Sequence, residues 1–154
     1  MNLTLHSDYS LRILLYLAEH GDRPVSTREI SDAYGISRNH LVRVVQTLQS
    51  HSFVKAAAGR SGGIRLARDP NGINIGEVVR RTEPNFRIVE CFDPKENTCR
   101  IVPVCSLRGV LAQALESFFR VLDDYTLADL VRMKGSQRIS DFLPIQSLHA
   151  AAVK

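Results

Sequence analysis

The segment from residue 26 to residue 68 constrains the fold more than any other part of the chain. STREISDAYG opens with Ser26 and Glu29 at the spacing of a capping box, and Gly35 ends this short helix. A second helix starts after Ser37, and its apolar residues recur at helical spacing: Leu41, Val44, Val45 and Leu48. Two helices joined by a tight turn that contains glycine predict a helix-turn-helix.

A predicted β-hairpin follows directly. FVKAAAGRSGGIRLARD has the pattern of strand, turn and strand, with glycines in the turn at Gly59, Gly62 and Gly63. A hairpin placed after a helix-turn-helix makes a winged helix. We therefore expect a mostly α fold, a winged helix-turn-helix with a small β-hairpin wing.

The charge of this segment predicts its partner. Between Ser26 and Arg68 only two residues, Glu29 and Asp32, are acidic, whereas seven are basic: Arg28, Arg38, Arg43, Lys55, Arg60, Arg65 and Arg68. Basic residues gathered on a helix and a hairpin are typical of phosphate binding. Charge alone leaves a solvated surface as an equal alternative, and the combination with a helix-turn-helix and a wing favours double-stranded DNA.

The expected DNA contacts fall into two groups. The first turn of the third helix, where a recognition helix meets base edges, carries Arg38, Asn39 and His40. Ser37 should cap that helix, and we expect its hydroxyl or the adjacent backbone N–H groups to meet a phosphate. In the wing, Arg60 and Arg65 should contact phosphate or the minor groove. The complete predicted DNA-binding set is Arg28, Ser37, Arg38, Asn39, His40, Arg43, Arg60 and Arg65.

Three further helices surround this segment. DYSLRILLYLAE predicts a helix over residues 8–19, and INIGEVVRRTEP predicts a short amphipathic helix closed by Pro84. Residues 106–124 form the longest helical pattern and carry two apolar stripes, which predicts a helix about 28 Å long that packs against a partner subunit. A plain core helix is the alternative. The predicted organisation has four parts: a winged-helix domain over 1–82, a cysteine loop over 83–105, a dimerisation helix with a short following helix over 106–132, and a loosely ordered tail over 133–154.

The cellular setting follows from the N-terminus. The apolar run LRILLYLA is too short to cross a bilayer and contains Arg12, and Asp8 precedes it where an export signal would carry positive charge. We therefore expect a cytoplasmic protein without a membrane partner. The cytoplasm keeps thiols reduced, so clustered cysteines there favour metal binding or redox sensing over disulfides.

All three cysteines of the 154-residue chain lie in one short segment. Cys91, Cys99 and Cys105 are separated by gaps of seven and five residues. These gaps are wider than those of zinc knuckles, and the CxxC motif of thiol–disulfide enzymes is absent. Thiolates are soft ligands, so a loop wrapped around an iron–sulfur cluster fits the spacing. Buried, inert cysteines remain the alternative.

Five stretches together resemble a known family. SDYSLRILLYLA, AYGISRNHLVRVVQTL, GRSGGIRLAR, INIGEVVRRTEP and YTLADLV are similar, in this order, to segments of the Rrf-type winged-helix regulators, and in particular to their nitric-oxide-sensing repressors. The resemblance runs from about residue 1 to residue 131. It implies a homodimeric repressor, not an enzyme, that releases operator DNA when nitric oxide nitrosylates or removes its iron–sulfur cluster. A 4Fe–4S cluster is expected, with 2Fe–2S as the alternative.

The resemblance also implies a ligand set. The three cysteines hold the cluster, and an Asp near the N-terminus of the other subunit supplies the fourth ligand; the matching residue is Asp8. Regulators of cluster biogenesis in the same family use a His three positions after the third cysteine, and Arg108 occupies that position here. His6 is the second candidate for this ligand. Arg12, one turn beyond Asp8, is expected to couple the switch by pairing with Asp8 or with Glu and Asp residues of the partner subunit.

Two other functions stay open. One is a regulator of the same architecture that senses iron or redox state. The other is a small iron–sulfur electron carrier, which the predicted winged helix argues against.

Overall fold

The computed structural model describes residues 2–21, 23–57, 62–133 and 141–143. Its elements are α1 (Leu5–Glu19), α2 (Thr27–Tyr34), α3 (Arg38–Ser50), β1 (Val54–Ala56), β2 (Ile64–Leu66), α4 (Ile75–Thr82), α5 (Ser106–Asp123) and α6 (Leu127–Met133). Short 3-10 turns lie at Pro70–Gly72, Glu90–Phe92 and Val102–Val104. Within these residues no helix combines the length and apolar character that a membrane span requires.

Helix α1 begins three residues earlier than the sequence pattern indicates. Thr4 is its N-cap, and the Thr4 Oγ1 atom accepts a hydrogen bond from the Ser7 backbone N–H. Glu83, which follows the last residue of α4, fixes Thr4 in place. Its Oε1 atom accepts hydrogen bonds from the Thr4 backbone N–H at 2.7 Å and from the Thr4 hydroxyl at 3.0 Å. This long-range anchor extends the helix, and a pattern confined to residues 8–19 does not contain it.

The predicted helix-turn-helix is confirmed, with one change in its capping. Ser26 caps α2 by accepting the Glu29 N–H, and Gly35 ends α2 in the left-handed region at a φ of 65°. The Glu29 carboxylate does not return to Ser26 as a capping box predicts. It accepts hydrogen bonds from Arg23 at 2.6 Å and from the Tyr16 hydroxyl at 3.0 Å, which ties α2 to α1. Burial and the Glu29 charge raise the pKa of Tyr16 to about 12, so this hydroxyl remains a donor.

The predicted wing is also confirmed. Strands β1 and β2 pair antiparallel, with Lys55 opposite Arg65. An isolated bridge joins Val25 to Ile64 and fixes the hairpin against the chain entering α2. Gly63 permits this approach, because a Cβ atom there would lie 2.8 Å from the Val25 carbonyl oxygen. The tip of the wing, with the predicted contact Arg60, lies outside the described residues.

One apolar core joins the winged helix to α6. Its largest fully buried side chains include Phe53, Ile13, Leu14, Leu17, Ile30, Leu41, Leu48, Ile73 and Leu127. The sequence pattern groups α6 with the dimerisation helix, whereas the structure buries Leu127 of α6 completely in the same core cluster as Ile13 and Leu14 of α1. Helix α6 therefore packs as part of the winged helix.

Helix α5 projects from this core. It has no buried residue along its whole length, and Leu107, Val110 and Val121 are each more than half exposed. Contact with the rest of the chain lies near its C-terminal end, where Phe119 meets Phe86 edge to face at 4.6 Å. Of the tail predicted to be loosely ordered, residues 134–140 and 144–154 lie outside the described part.

Candidate nucleic-acid interface and metal centre

The outer surface of α3 carries the predicted base-reading side chains. Ser37 caps the helix, as predicted, by accepting the His40 N–H at 3.4 Å. Arg38, Asn39 and His40 are exposed, and so is Arg43 one turn later. In the described part of the chain Arg38 and Arg43 form no ion pair, which leaves both guanidinium groups available to DNA.

Two exposed residues of this surface are absent from the DNA-binding set predicted from the sequence. Val42 is 45% exposed between Asn39 and Arg43, and Gln46 is exposed one turn further on. An apolar side chain in the major groove contacts the methyl group of thymine, and an amide reads adenine. The available signal was the helical period of α3, since residues 42 and 46 fall outside its buried stripe.

The basic footprint is smaller than the sequence count indicates. Arg68 turns inward: its guanidinium donates to the carbonyl oxygens of Ser52 at 3.0 Å and His51 at 2.8 Å, and it pairs with Glu77 at 3.0 Å. It therefore caps the C-terminal end of α3. Arg28 lies 3.7 Å from Asp32 in an exposed pair and stays accessible.

The wing places its described basic residues side by side. Arg65 on β2 is half-buried and lies opposite the exposed Lys55 on β1. The Arg65 Nε atom is buried without a hydrogen-bond partner in the described part of the chain. Buried donors are normally satisfied, so this unpaired atom marks Arg65 as a residue with capacity for a further partner.

The wide gap between the first two cysteines is folded into a compact turn around Asp93. This residue is 3% exposed, forms an ion pair with Arg87, and accepts a hydrogen bond from the Lys95 N–H at 3.0 Å. The turn closes where Thr98 Oγ1 donates to Glu90 Oε2 at 3.2 Å. Glu90 and Thr98 immediately precede Cys91 and Cys99, so this bond draws together the chain segments that carry the two thiols.

The third cysteine begins the long helix. Cys105 is the N-cap residue of α5, and it makes no side-chain capping bond. It lines an open cleft of about 630 Å³ together with Phe92, Val102, Pro103 and Arg108. A helix N-terminus carries partial positive charge and favours anionic ligands.

The donor set fits an iron–sulfur cluster. All three cysteines are free thiols of intermediate exposure, and they lie in one loop held by turns instead of regular structure. Soft thiolates are the ligands that such clusters take from proteins. The side chains are not gathered in this structure, since the described residues contain no group of three His, Cys, Asp or Glu placed to hold one metal ion.

Asp8 lies on α1 and is engaged by its own helix. Arg12 binds it with two parallel bonds, Nε to Oδ1 at 3.0 Å and Nη2 to Oδ2 at 2.7 Å. The predicted pairing of Arg12 with Asp8 is therefore present. Both side chains are more than one third exposed, so the pair contributes only about 0.2–1 kcal/mol. A stronger ligand can displace it at small cost.

The Asp8–Arg12 pair is connected to the helix-turn-helix by aromatic contacts. The Arg12 guanidinium carbon lies 5.9 Å from the centre of the Tyr9 ring, and that ring lies 6.4 Å from the His40 ring at the start of α3. The Arg12 carbonyl also accepts the Tyr34 hydroxyl at 3.3 Å. These contacts connect Arg12 to the end of α2 and to the first turn of α3.

Comparison with known proteins places these features in a family. The HTH-type transcriptional regulator NsrR of Bacillus subtilis is 51% identical over 135 residues, which cover 87% of this chain and 92% of that protein. The protein of the same name from Halalkalibacterium halodurans is 49% identical and covers 85% and 90%.

Solved structures agree in fold. IscR of T. potens superposes with a TM-score of 0.71 at 26% identity, covering 87% of this chain and 88% of that one. CymR, the global cysteine regulator of B. subtilis, gives a TM-score of 0.68 at 26% identity and covers 86% and 98%. Residues 3–133 match the family model described as Rrf2, iron-dependent transcriptional regulator. The chain therefore belongs to the Rrf2 family and is a transcriptional regulator, not an enzyme.

Proposed function

We propose that the protein is a homodimeric repressor that binds double-stranded operator DNA and releases it in response to nitric oxide, through an iron–sulfur cluster. The observation that carries the proposal is the cysteine loop, whose three free thiols lead directly into α5. A loop that binds the signal is thereby continuous with the helix proposed to join the subunits.

DNA binding is supported by the charge and exposure of α3. Arg38 and Arg43 flank a polar and apolar strip formed by Asn39 and Val42, and all four are exposed. Arginine reads guanine and asparagine reads adenine in the major groove, while basic wing residues contact the backbone. Arg60 retains its proposed role in the wing as an expectation from its position in the hairpin turn.

Homodimer formation is supported by the unburied apolar face of α5. Leu107 is 61% exposed, Val110 is 60% exposed and Val121 is 57% exposed, and Val104 just before the helix is 85% exposed. A monomeric protein rarely leaves such a continuous apolar surface in water. A second copy of α5 covers it and buries the same residues from both sides.

In the proposed cluster site Cys91, Cys99 and Cys105 supply thiolates, and Asp8 of the partner subunit supplies a carboxylate. When bound, the cluster provides iron that can exchange a ligand for nitric oxide. A carboxylate is a hard ligand and a poor match for such iron, so Asp8 is the ligand most easily replaced.

Arg12 is the alternative partner of the Asp8 carboxylate when that carboxylate is not an iron ligand. If Asp8 held iron, its carboxylate would no longer be free for Arg12, and Arg12 would pair with other acceptors. A carboxylate of Asp8 that is not bound to iron would keep the two bonds to Arg12 described above. Through Tyr9 and His40 this difference would reach the first turn of α3 and alter the spacing of the two recognition helices. A dimer must hold them about 34–36 Å apart to occupy both half-sites.

Replacement of each cysteine by alanine tests the ligand set. Anaerobic purification followed by iron and sulfide analysis and visible absorbance should show loss of the cluster in each variant. A variant that keeps a full, stable cluster removes that cysteine from the set. A wild-type protein that holds no iron but loses DNA on thiol oxidation would instead identify a redox sensor of the same architecture.

A nitric oxide titration of operator binding tests the switch. The cluster of Asp8→Ala should remain on three thiolates, with an altered dose of nitric oxide for DNA release. Glu116→Ala is the matched control, because Glu116 and Arg120 also form an i,i+4 pair on an exposed helix. Curves for Asp8→Ala that coincide with the wild type would reduce Asp8 to an acid in the first turn of α1.

A further inference from the structure

The contact between α4 and the end of α5 is built from charged, aromatic and backbone elements. Arg80 on α4 binds Asp123 on α5 with two parallel bonds of 2.6 and 2.7 Å. The Arg80 guanidinium carbon also lies 4.3 Å from the centre of the Phe119 ring. These bonds lower the pKa of Asp123, so the pair stays charged over the physiological range.

A glycine lets the two helices approach. Gly76 lies one turn before Arg80 on α4 and is buried against Asp123. A Cβ atom at this position would collide with Asp123 Oδ1 and would lie 2.9 Å from Arg80 Nη1. Any larger residue therefore has to displace the ion pair.

Backbone bonds hold the same junction from the other side. The Asn74 side chain donates to the carbonyl oxygens of Asp123 at 2.7 Å and Tyr125 at 3.3 Å. The Ile75 N–H donates to the Tyr125 carbonyl at 3.0 Å, and the Leu127 N–H donates to the Ile73 carbonyl at 2.8 Å. These bonds hold the end of α5 in place on the winged helix, and the side-chain contacts of Asp123 with Arg80 and Gly76 bear on the direction in which the helix leaves it.

A small change of angle at this junction displaces the far end of α5 by a larger distance. The helix has 18 residues, which gives a length of about 27 Å at ~1.5 Å per residue. A tilt of about 10° at one end moves the other end by about 5 Å, which exceeds the 3.4 Å rise of one base pair. The angle fixed at the junction therefore decides how far apart two winged helices stand when two α5 helices pair.

We propose that the junction of Gly76, Arg80 and Asp123 determines which half-site spacing the dimer accepts, making Arg80 and Asp123 positioning residues for operator specificity. The inference rests on the proposed function, because it needs a dimer that binds DNA. Both residues act through the direction of α5 and not through a contact with DNA.

Selection from a pool of duplexes with a random central region of about 40 base pairs tests the proposal, since several helical turns then fit in each duplex. Wild type, Asp123→Asn and Gly76→Ala are each used to select and sequence bound DNA. Glu116→Gln is the matched control, because it removes the charge of another exposed acid on α5 and leaves the junction intact. The swap Arg80→Glu with Asp123→Arg restores opposite charges and tests for rescue.

Wild type and Glu116→Gln should enrich paired half-sites at one spacing. Asp123→Asn and Gly76→Ala should enrich the same half-site at several spacings, and the swap should narrow the distribution again. Preference for the original spacing over one changed by two base pairs should fall about tenfold, because a misplaced half-site costs at least as much as one mismatched base pair.

Three results separate the possible failures. One unchanged spacing in Asp123→Asn and Gly76→Ala overturns the inference and leaves the proposed function standing. Failure of the wild type to enrich any paired motif overturns the proposed dimeric DNA binding itself. A lower melting temperature of the junction variants, together with an equal loss of DNA affinity at every spacing, would show that the junction contributes only to stability. That result also overturns the inference.

Discussion

Arg68 offers a direct test of whether a basic residue of the winged helix contacts DNA or supports the fold. Its guanidinium bonds to the carbonyl oxygens of His51 and Ser52 at the end of α3 and pairs with Glu77 on α4. It also lies 4.7 Å from the centre of the buried Phe53 ring. Arg68→Ala should therefore destabilise the protein while leaving the electrostatic part of DNA binding intact.

The size of the effect follows from these contacts. Arg68 and Glu77 are each about one third exposed, so their ion pair contributes about 0.5 kcal/mol after screening. Two hydrogen bonds from a charged donor and the cation–π contact raise the total, and overlap between them limits it to about 2 kcal/mol. For a chain of this size that corresponds to a fall in melting temperature of about 4–8 °C.

Thermal unfolding and the salt dependence of DNA affinity, measured together, form the assay. Lys55→Ala is the control, since Lys55 is exposed on β1 and should lower the salt slope by about one per subunit with little change in stability. Arg68→Ala should show the reverse. A reduced salt slope with an unchanged melting temperature would place Arg68 on the DNA backbone and refute the structural role.

Three further predictions concern DNA reading and acid stability. Val42→Ala should weaken binding to operator duplexes that contain thymine by about tenfold, because the contact with the thymine methyl group is lost. Binding to duplexes in which uracil replaces thymine should not change, and equal losses of affinity on both duplexes would exclude this contact. Arg38→Ala should relax base preference at one position at a cost of roughly 1–3 kcal/mol, whereas Arg65→Ala should weaken specific and random DNA alike; identical behaviour of the two would contradict their assigned roles. Hydrogen bonds from Thr126 and Arg132 lower the pKa of Asp129 to about 2 from its ordinary 3.8. Between pH 2 and 3.8 the unfolded chain therefore binds more protons than the folded chain. The stability contributed by Asp129 is present above pH 3.8 and is lost as the pH falls toward 2. Asp129→Asn should therefore reduce the fall in melting temperature over this pH range, and a fall equal to that of the wild type would exclude a contribution from Asp129.

The winged helix could be predicted because its signals are local. Ser37 and Gly35 act within a few residues of themselves, and the apolar spacing of α3 directly determines which of its faces is buried. The same holds for the hairpin, whose glycines and alternating strands lie next to each other in the chain. The cysteines could be proposed as ligands for a similar reason, since thiol chemistry belongs to the residue and the spacing is visible in the sequence.

The roles of charged residues were harder to predict from the sequence than the helices and strands, because the partner of a charged group depends on residues that are distant in the chain. Arg68 counts as basic in the sequence, and only the fold places Glu77 and the end of α3 beside it. Glu29 shows the same effect in the opposite direction: its spacing from Ser26 indicates a capping box, yet Arg23 and Tyr16 take its carboxylate. In both cases the competing partner lies on another element.

The sequence by itself determined the winged helix, the exposed basic surface of α3 and the three thiols, since each depends on residues close together in the chain. Tertiary structure decided the start of α1 through Glu83, the burial of Leu127 and the direction of α5. That direction depends on Arg80 meeting Asp123, residues 43 positions apart in the chain. No local pattern contains such a contact, because its free energy appears only after both helices have packed on the same core.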